Sequence, residues 1–90
     1  MPRYLVQRTF HGGLELPLTP EGASASDLIV WHNLEEQVNW VRSFVTTDRQ
    51  TTYCIYDGPS PEAVRRAARR NGQPVDRITE VRVLDPWFYH

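Results

Sequence analysis

The sequence predicts an α+β domain with one antiparallel sheet, and three observations predict it. Four short segments alternate apolar and polar residues or concentrate β-branched and aromatic ones. Two other segments open with a hydroxyl residue, a proline and a glutamate, the grammar of a helix start. The two kinds follow one another in the order β, α, β, β, α, β, too few and too short for more than one sheet and one helical layer.

Residues 4–10 set Tyr4, Val6 and Phe10 against Gln7 and Thr9, the period-2 pattern of a first strand. His11-Gly12-Gly13 then frees the backbone and Pro17 removes a donor, so residues 11–19 predict a loop. It is long for so small a domain, which makes it a candidate lid. Thr19-Pro20-Glu21 opens the first helix, with Thr19 as N-cap, proline at the first helical position and an acid near the positive end of the dipole. That helix is expected to run to about Glu35. Its apolar residues fall on two sides, Ala25, Leu28 and Ile29 on one and Ala23, Val30 and Leu34 on the other, with Trp31 nearer the second. Two apolar sides predict more than one neighbour.

Residues 38–45 (VNWVRSFV) and 51–56 (TTYCIY) read as two strands joined by a hairpin at residues 46–50. Asp57-Gly58-Pro59 closes the second of them, and Ser60-Pro61-Glu62 opens another helix. There Ala63, Val64, Ala67 and Ala68 form a narrow face of small residues, and Gly72 is the expected glycine just past the helix end. Residues 78–84 (ITEVRVL) alternate as the last strand, followed by Asp85-Pro86 and an aromatic tail of Trp87, Phe88, Tyr89 and His90. Two split βαβ units in this order make the ferredoxin-like arrangement.

In that arrangement the helices cover one face of the sheet. The alternation places Tyr4, Val6, Phe10, Val41, Val45, Val81 and Val83 toward them. The other face is then expected to hold Leu5, Gln7, Thr9, Trp40, Arg42, Phe44, Thr52, Cys54, Tyr56, Ile78, Glu80, Arg82 and Leu84. A face with Trp40, Phe44, Ile78 and Leu84 is too apolar to meet water, and a second copy is the expected cover. Two sheets facing each other would form a dimeric α+β barrel with a mostly apolar interior, the character of a ligand site. The tail from Trp87 to His90 would cross that interface or close its mouth.

Composition bounds the function. At 90 residues the chain has a small core, which favours oligomerisation as a source of stability. Cys54 is its single cysteine, so no internal disulfide forms, and the chain reads as cytoplasmic. The first residues lack the apolar stretch of a signal peptide, and no segment is apolar over the length that spans a bilayer. A net charge of −1 withholds the broad positive field that nucleic-acid binding needs, so neither nucleic acid nor membrane is an expected partner. The cluster Arg65, Arg66, Arg69 and Arg70, with Glu62 one helical turn before two of them, reads as a solvated helix face.

Residues 52–64 (TYCIYDGPSPEAV), Asn71-Gly72 and residues 76–81 (DRITEV) resemble the small nickel-binding-protein family, also catalogued as a domain of unknown function. The likeness is strong over residues 36–85 and weaker before them. It implies a ferredoxin-like domain that dimerises into an α+β barrel, and it implies nickel as a possible cofactor. Cys54 and Glu80 match the family pattern. Where nickel-binding members carry histidines, this sequence has Gln7 and Arg8, about Ser26, and Thr79.

Candidate chemistry concentrates on a few side chains. Glu80 on a half-buried strand is a general-base candidate, or else the ion-pair partner of Arg82 or Arg42. Tyr56, Arg42 and Gln7 are candidates to orient a polar ligand or to stabilise a developing enolate, with interface hydrogen bonding as the alternative. Trp40, Phe44, Cys54, Arg82 and His32 complete the expected ligand lining, Cys54 equally as a packed inert thiol. Should a metal bind, its donors come from His11, His32, Cys54 and Glu80. The sequence therefore supports a dimeric barrel holding a small, largely apolar organic molecule, in its strongest form a cofactor-free acid/base enzyme of cyclase or isomerase type. A nickel or other transition-metal binder and a structural dimer without catalysis are the alternatives.

Overall fold

The structure, a computed structural model, describes residues 1–14 and 20–87, and the side chains of residues 20–26 are left aside. The expected N-cap at Thr19, most of the candidate lid and the tail beyond Trp87 lie outside the described residues. Six elements follow one another: β1 (Arg3–Thr9), α1 (Pro20–Glu35), β2 (Asn39–Val45), β3 (Thr51–Asp57), α2 (Pro61–Arg70) and β4 (Arg77–Val81). The strands lie in the order β2-β3-β1-β4, every neighbour antiparallel, which is the ferredoxin-like order. β4 stops at Val81, short of the expected Leu84, and Val83 and Leu84 are exposed. No described helix is long and apolar enough to cross a membrane.

Local chemistry explains α2 at both ends. Ser60 is the N-cap, in an extended conformation, and its Oγ accepts the Ala63 N–H at 3.2 Å, while Pro61 begins the first turn. At the other end Gly72 adopts φ +63°, which a side chain would oppose. That conformation lets Gly72 N–H reach Arg69 O at 3.1 Å and Gln73 N–H reach Ala68 O at 2.9 Å, closing the helix and fixing where Gln73 lies. The face of Ala63, Val64, Ala67 and Ala68 is buried on the sheet as its spacing predicts. It packs with Tyr4, Val6, Val38, Cys54 and Tyr56 into the core. Burying one such valine contributes roughly 1.5–3 kcal/mol.

The register corrects the expected faces. Directly opposed residues of antiparallel strands share a face. Tyr4 opposes Tyr56, Val6 opposes Cys54 and Arg8 opposes Thr52, so these three β3 residues lie under the helices. On the other side of β1, Tyr4 opposes Glu80 and Val6 opposes Ile78, which brings Glu80 and Ile78 to the helix side as well. Leu5, Gln7, Thr9, Arg42 and Phe44 take the open face as expected, with Tyr53, Ile55 and Val81 beside them. Two causes account for the difference. The two alternating sets of β3 are about equally apolar, so pattern alone does not orient it. In β2 the ladder slips between Trp40 and Arg42, leaving Val41 as the extra residue of a β-bulge. The slip puts Trp40 and Ser43 on the helix side and sends Val41 to the open side, opposite to both expectations.

Candidate functional site

Between α1 and the helix side of the sheet lies a cavity of about 260 Å³. β1 contributes Arg8, and Phe10 and Leu14 follow it; Ile29 comes from α1, Trp40, Ser43 and Val45 from β2, Thr52, Cys54 and Tyr56 from β3, and Gln73 from beyond α2. Its rim is set by the turn after β1. Gly13, at φ +84°, donates its N–H to Phe10 O at 2.9 Å, and the chain then returns to the β2–β3 hairpin. There Leu14 N–H donates to Arg49 O at 2.6 Å, and Arg49 Nε donates back to Leu14 O at 3.0 Å.

The floor is a chain of hydrogen bonds that the bulge makes possible. Trp40 Nε1 donates to Ser43 Oγ at 2.8 Å, Ser43 Oγ donates to Cys54 Sγ at 3.0 Å, and Cys54 Sγ donates to Thr52 Oγ1 at 3.6 Å. The thiol is thus buried and occupied on both sides, the character of a packed cysteine.

Arg8 is the unusual member. Its side chain is 2 % exposed, and neither Nε nor Nη1 has a hydrogen-bond partner among the described residues. Its guanidinium carbon stands 5.5 Å from the centroid of the Tyr56 ring. A desolvated cation–π contact is worth about 2 kcal/mol, while removing a charge from water costs several kcal/mol even after relaxation. The ring, together with the hydrogen-bonding interaction of Arg8 with the Tyr56 phenol, compensates the cation only in part. Burial pushes the Tyr56 phenol up to about 12, although the Arg8 charge acts in the opposite direction. Gln73 Oε1 is a second buried polar atom of this lining without a partner.

The sequence-expected residues divide among separate places. Tyr56, Trp40 and Cys54 line the cavity, on the side away from the expected barrel interior. Glu80 is an exposed residue of the edge strand, in the same row as Tyr4 and Tyr56 but two strands from Tyr56, roughly 10 Å. Arg42 lies on the opposite face of the sheet from Tyr56, so Glu80, Tyr56 and Arg42 form no common site. Gln7 and Phe44 also belong to the open face, where Leu5, Val41, Phe44, Ile55 and Val81 make an apolar groove edged by Arg3, Arg42 and Arg82. His32 shares a hydrogen bond between its Nδ1 and Asn71 Oδ1 at 2.8 Å, and Asn71 Nδ2 donates to Asn33 Oδ1 at 3.2 Å, tying α1 to the end of α2. His11 is exposed in the turn after β1. Among the described residues no three His, Cys, Asp or Glu side chains gather as a metal site would require, so His11, His32, Cys54 and Glu80 do not fit a nickel centre within one copy.

On α2, Arg66 Nε pairs with Glu36 Oε2 at 2.9 Å, and Arg70 pairs with Glu35 and Glu36, holding the two helices together across their exposed sides. Ser43 and Gln73 are not singled out by sequence reasoning, and Arg8 only as a position where the resembled family carries a histidine. For Arg8 a signal exists: it is in phase with Tyr4, Val6 and Phe10, so strict alternation already places a guanidinium in the core. Ser43 depends on the bulge and Gln73 on the turn after Gly72, and neither is visible as a period.

A ferredoxin-like domain with a mostly apolar cavity between its helices and its sheet is the class of protein that these features define. The family model described as nickel responsive protein SCO4226-like matches residues 4–81, and the chain belongs to that family. Among solved structures it is similar to SCO4226 from Streptomyces coelicolor A3(2), with a TM-score of 0.72 and 25% identity over 92% of this chain and 99% of that one. A search of the curated proteins finds no match.

Proposed function

We propose that this chain is a small-molecule-binding protein that holds a small, largely apolar organic ligand in the cavity beneath α1, and that two copies pair through their open sheet faces. The cavity itself carries the reading: about 260 Å³ of space walled by Phe10, Leu14, Ile29, Trp40 and Val45, with a few convergent polar groups. In this reading the ligand lies on the helix side of the sheet and not in a barrel interior. Pairing is supported by the open face, where Val41, Phe44, Tyr53 and Val83 are exposed together beside Leu5 and Ile55. It is also what the family resemblance implies. The acid/base reading is not carried forward, because Glu80, Tyr56 and Arg42 share no site.

Native mass spectrometry of untagged protein tests both halves. The expected species is a dimer that retains a small organic molecule. Ile29→Trp, which fills the cavity, is expected to abolish retention while the dimer persists. A monomer overturns the pairing, and retention unchanged by Ile29→Trp overturns the site.

Nickel binding is the second reading, favoured by the family's description as nickel responsive. Elemental analysis and metal titration of untagged protein test it. Stoichiometric nickel supports it, and absence of uptake rejects it.

A further inference from the structure

A guanidinium keeps its charge in proteins, so Arg8 cannot escape the apolar side of the sheet by losing a proton. It is 2 % exposed, it lines the cavity, and its Nε and Nη1 have no partner among the described residues. Each of these N–H groups can donate to an oxygen of a carboxylate. The walls around it are apolar, supplied by Phe10, Ile29, Trp40 and Val45. At about 260 Å³ the cavity lies just below the range of drug-sized ligand pockets, which begins near ~300 Å³. A body the size of one ring fits that space.

We infer that the cavity beneath α1 selects small organic carboxylates, with the acid group on Arg8 and an apolar body, such as a single aromatic ring, among Phe10, Ile29, Trp40 and Val45. The inference rests on the cavity being a ligand site and adds the chemical class of what enters it. A doubly charged, strongly hydrated anion such as inorganic phosphate satisfies Arg8 but leaves the apolar walls uncovered, so it is the weaker occupant. Gln73 Oε1, buried without a partner in the same lining, accepts from a hydroxyl where the acid carries one.

Phenylacetate and its uncharged amide, phenylacetamide, have nearly the same shape and differ in the charge that Arg8 would meet. Titration calorimetry on the full chain is expected to show the acid binding at least tenfold more tightly than the amide, and more tightly than acetate or phosphate. The arginine Nε–H resonance assigned to Arg8 is expected to shift on adding the acid. In Arg8→Met the preference for acid over amide is expected to vanish. Equal binding of acid and amide by the unaltered protein overturns the inference and leaves the cavity reading standing, and this comparison needs no variant to fold. Failure of both probes to bind overturns the two together. A tenfold preference that survives in Arg8→Met, or phosphate binding as tightly as phenylacetate, also overturns the assignment to Arg8 and its apolar surround.

Discussion

The guanidinium carbon of Arg8 lies 5.5 Å from the centre of the Tyr56 ring, on the helix side of the sheet, where its buried neighbours are Tyr4, Val6, Thr52 and Cys54. The pair explains two properties at once. The ring face gives the cation partial electrostatic compensation, and the crowding that buries both groups keeps the phenol protonated.

Tyr56 is therefore expected to be among the last phenols to ionise, at about 12, with burial as the chief cause. Tyr4 also ionises late, because it is buried and sits near the carboxylates of Glu80 and Glu62. A raised folded value means that the folded state holds the proton more tightly than the unfolded chain. The stabilisation is complete below the unfolded phenol value near ~10 and is lost as pH rises toward the folded one. Ultraviolet titration at rising pH checks this. The step at highest pH is expected to disappear in Tyr56→Phe, whose stability is expected to fall less steeply at alkaline pH. A Tyr56 that ionises at the ordinary phenol value of about 10 contradicts the burial described.

Ser43→Ala removes the middle of the chain from Trp40 to Thr52 and leaves the Trp40 indole N–H without its partner. The expected loss is about 1 kcal/mol of stability by chemical denaturation. Cys54 is expected to react with thiol reagents at the rate of local opening in native protein and promptly in denaturant. Prompt reaction under native conditions would mean that the cavity floor is open to solvent.

Element order, the α2 cap grammar and the Gly72 stop were legible in the sequence because each depends on nearest neighbours or on one period. The faces of β3 and β2 were not. In TTYCIY both alternating sets contain a threonine and an aromatic or aliphatic residue, so orientation comes only from pairing with β1. In β2 the extra residue at Val41 reverses the phase within one strand, which separates Trp40 from Arg42 and Phe44. The candidate site followed the same division. Trp40, Tyr56 and Cys54 are legible as candidates but on the wrong face and Phe10 on the right one, while Arg8 enters only as a position where the resembled family carries histidine, although its phase sets it beside Val6.

Glu80→Gln is expected to leave both stability and binding in the cavity unchanged. The carboxylate is exposed on β4, outside the cavity lining and two strands from Tyr56. Thermal denaturation and phenylacetate titration of the variant check this. A large loss of binding would return Glu80 to the role that the sequence alone suggested.

At acid pH three carboxylates carry the expected sensitivity: Asp48, lowered chiefly by the Thr46 hydroxyl, and two that pair with arginines. The Arg3 guanidinium, bound side-on to Asp57 through 2.7 and 3.1 Å contacts, holds that carboxyl below its ordinary value, and Arg66 with Arg70 does the same for Glu36. A lowered folded value gives stabilisation that is present above the unfolded value and is lost as pH falls through the folded one. Both pairs are partly exposed, so the effect is modest and weakens with salt. Denaturation midpoints measured from neutral to acid pH are expected to fall less in Asp57→Asn than in the unaltered protein.

Gly58 marks the closest approach of the strand β3 exit to the core. A Cβ there would stand 3.3 Å from Val38 Cγ2 and 3.5 Å from Val64 Cγ2. The glycine does not have a left-handed φ, so alanine is compatible with the backbone, and the stiffer unfolded chain alone would favour it by about 0.4–1 kcal/mol. Overpacking acts against it. Val38 and Val64 are buried, and a β-branched side chain in a filled core has little freedom to turn away. Small-to-large changes in such places cost roughly 1–3 kcal/mol, so Gly58→Ala is expected to destabilise by about 1 kcal/mol net. A double-mutant cycle isolates the cause. In a Val38→Ala background the closer obstacle is gone, and Gly58→Ala is expected to cost less or to turn stabilising. An unchanged cost in that background would place the strain in the backbone and not in the Val38 contact.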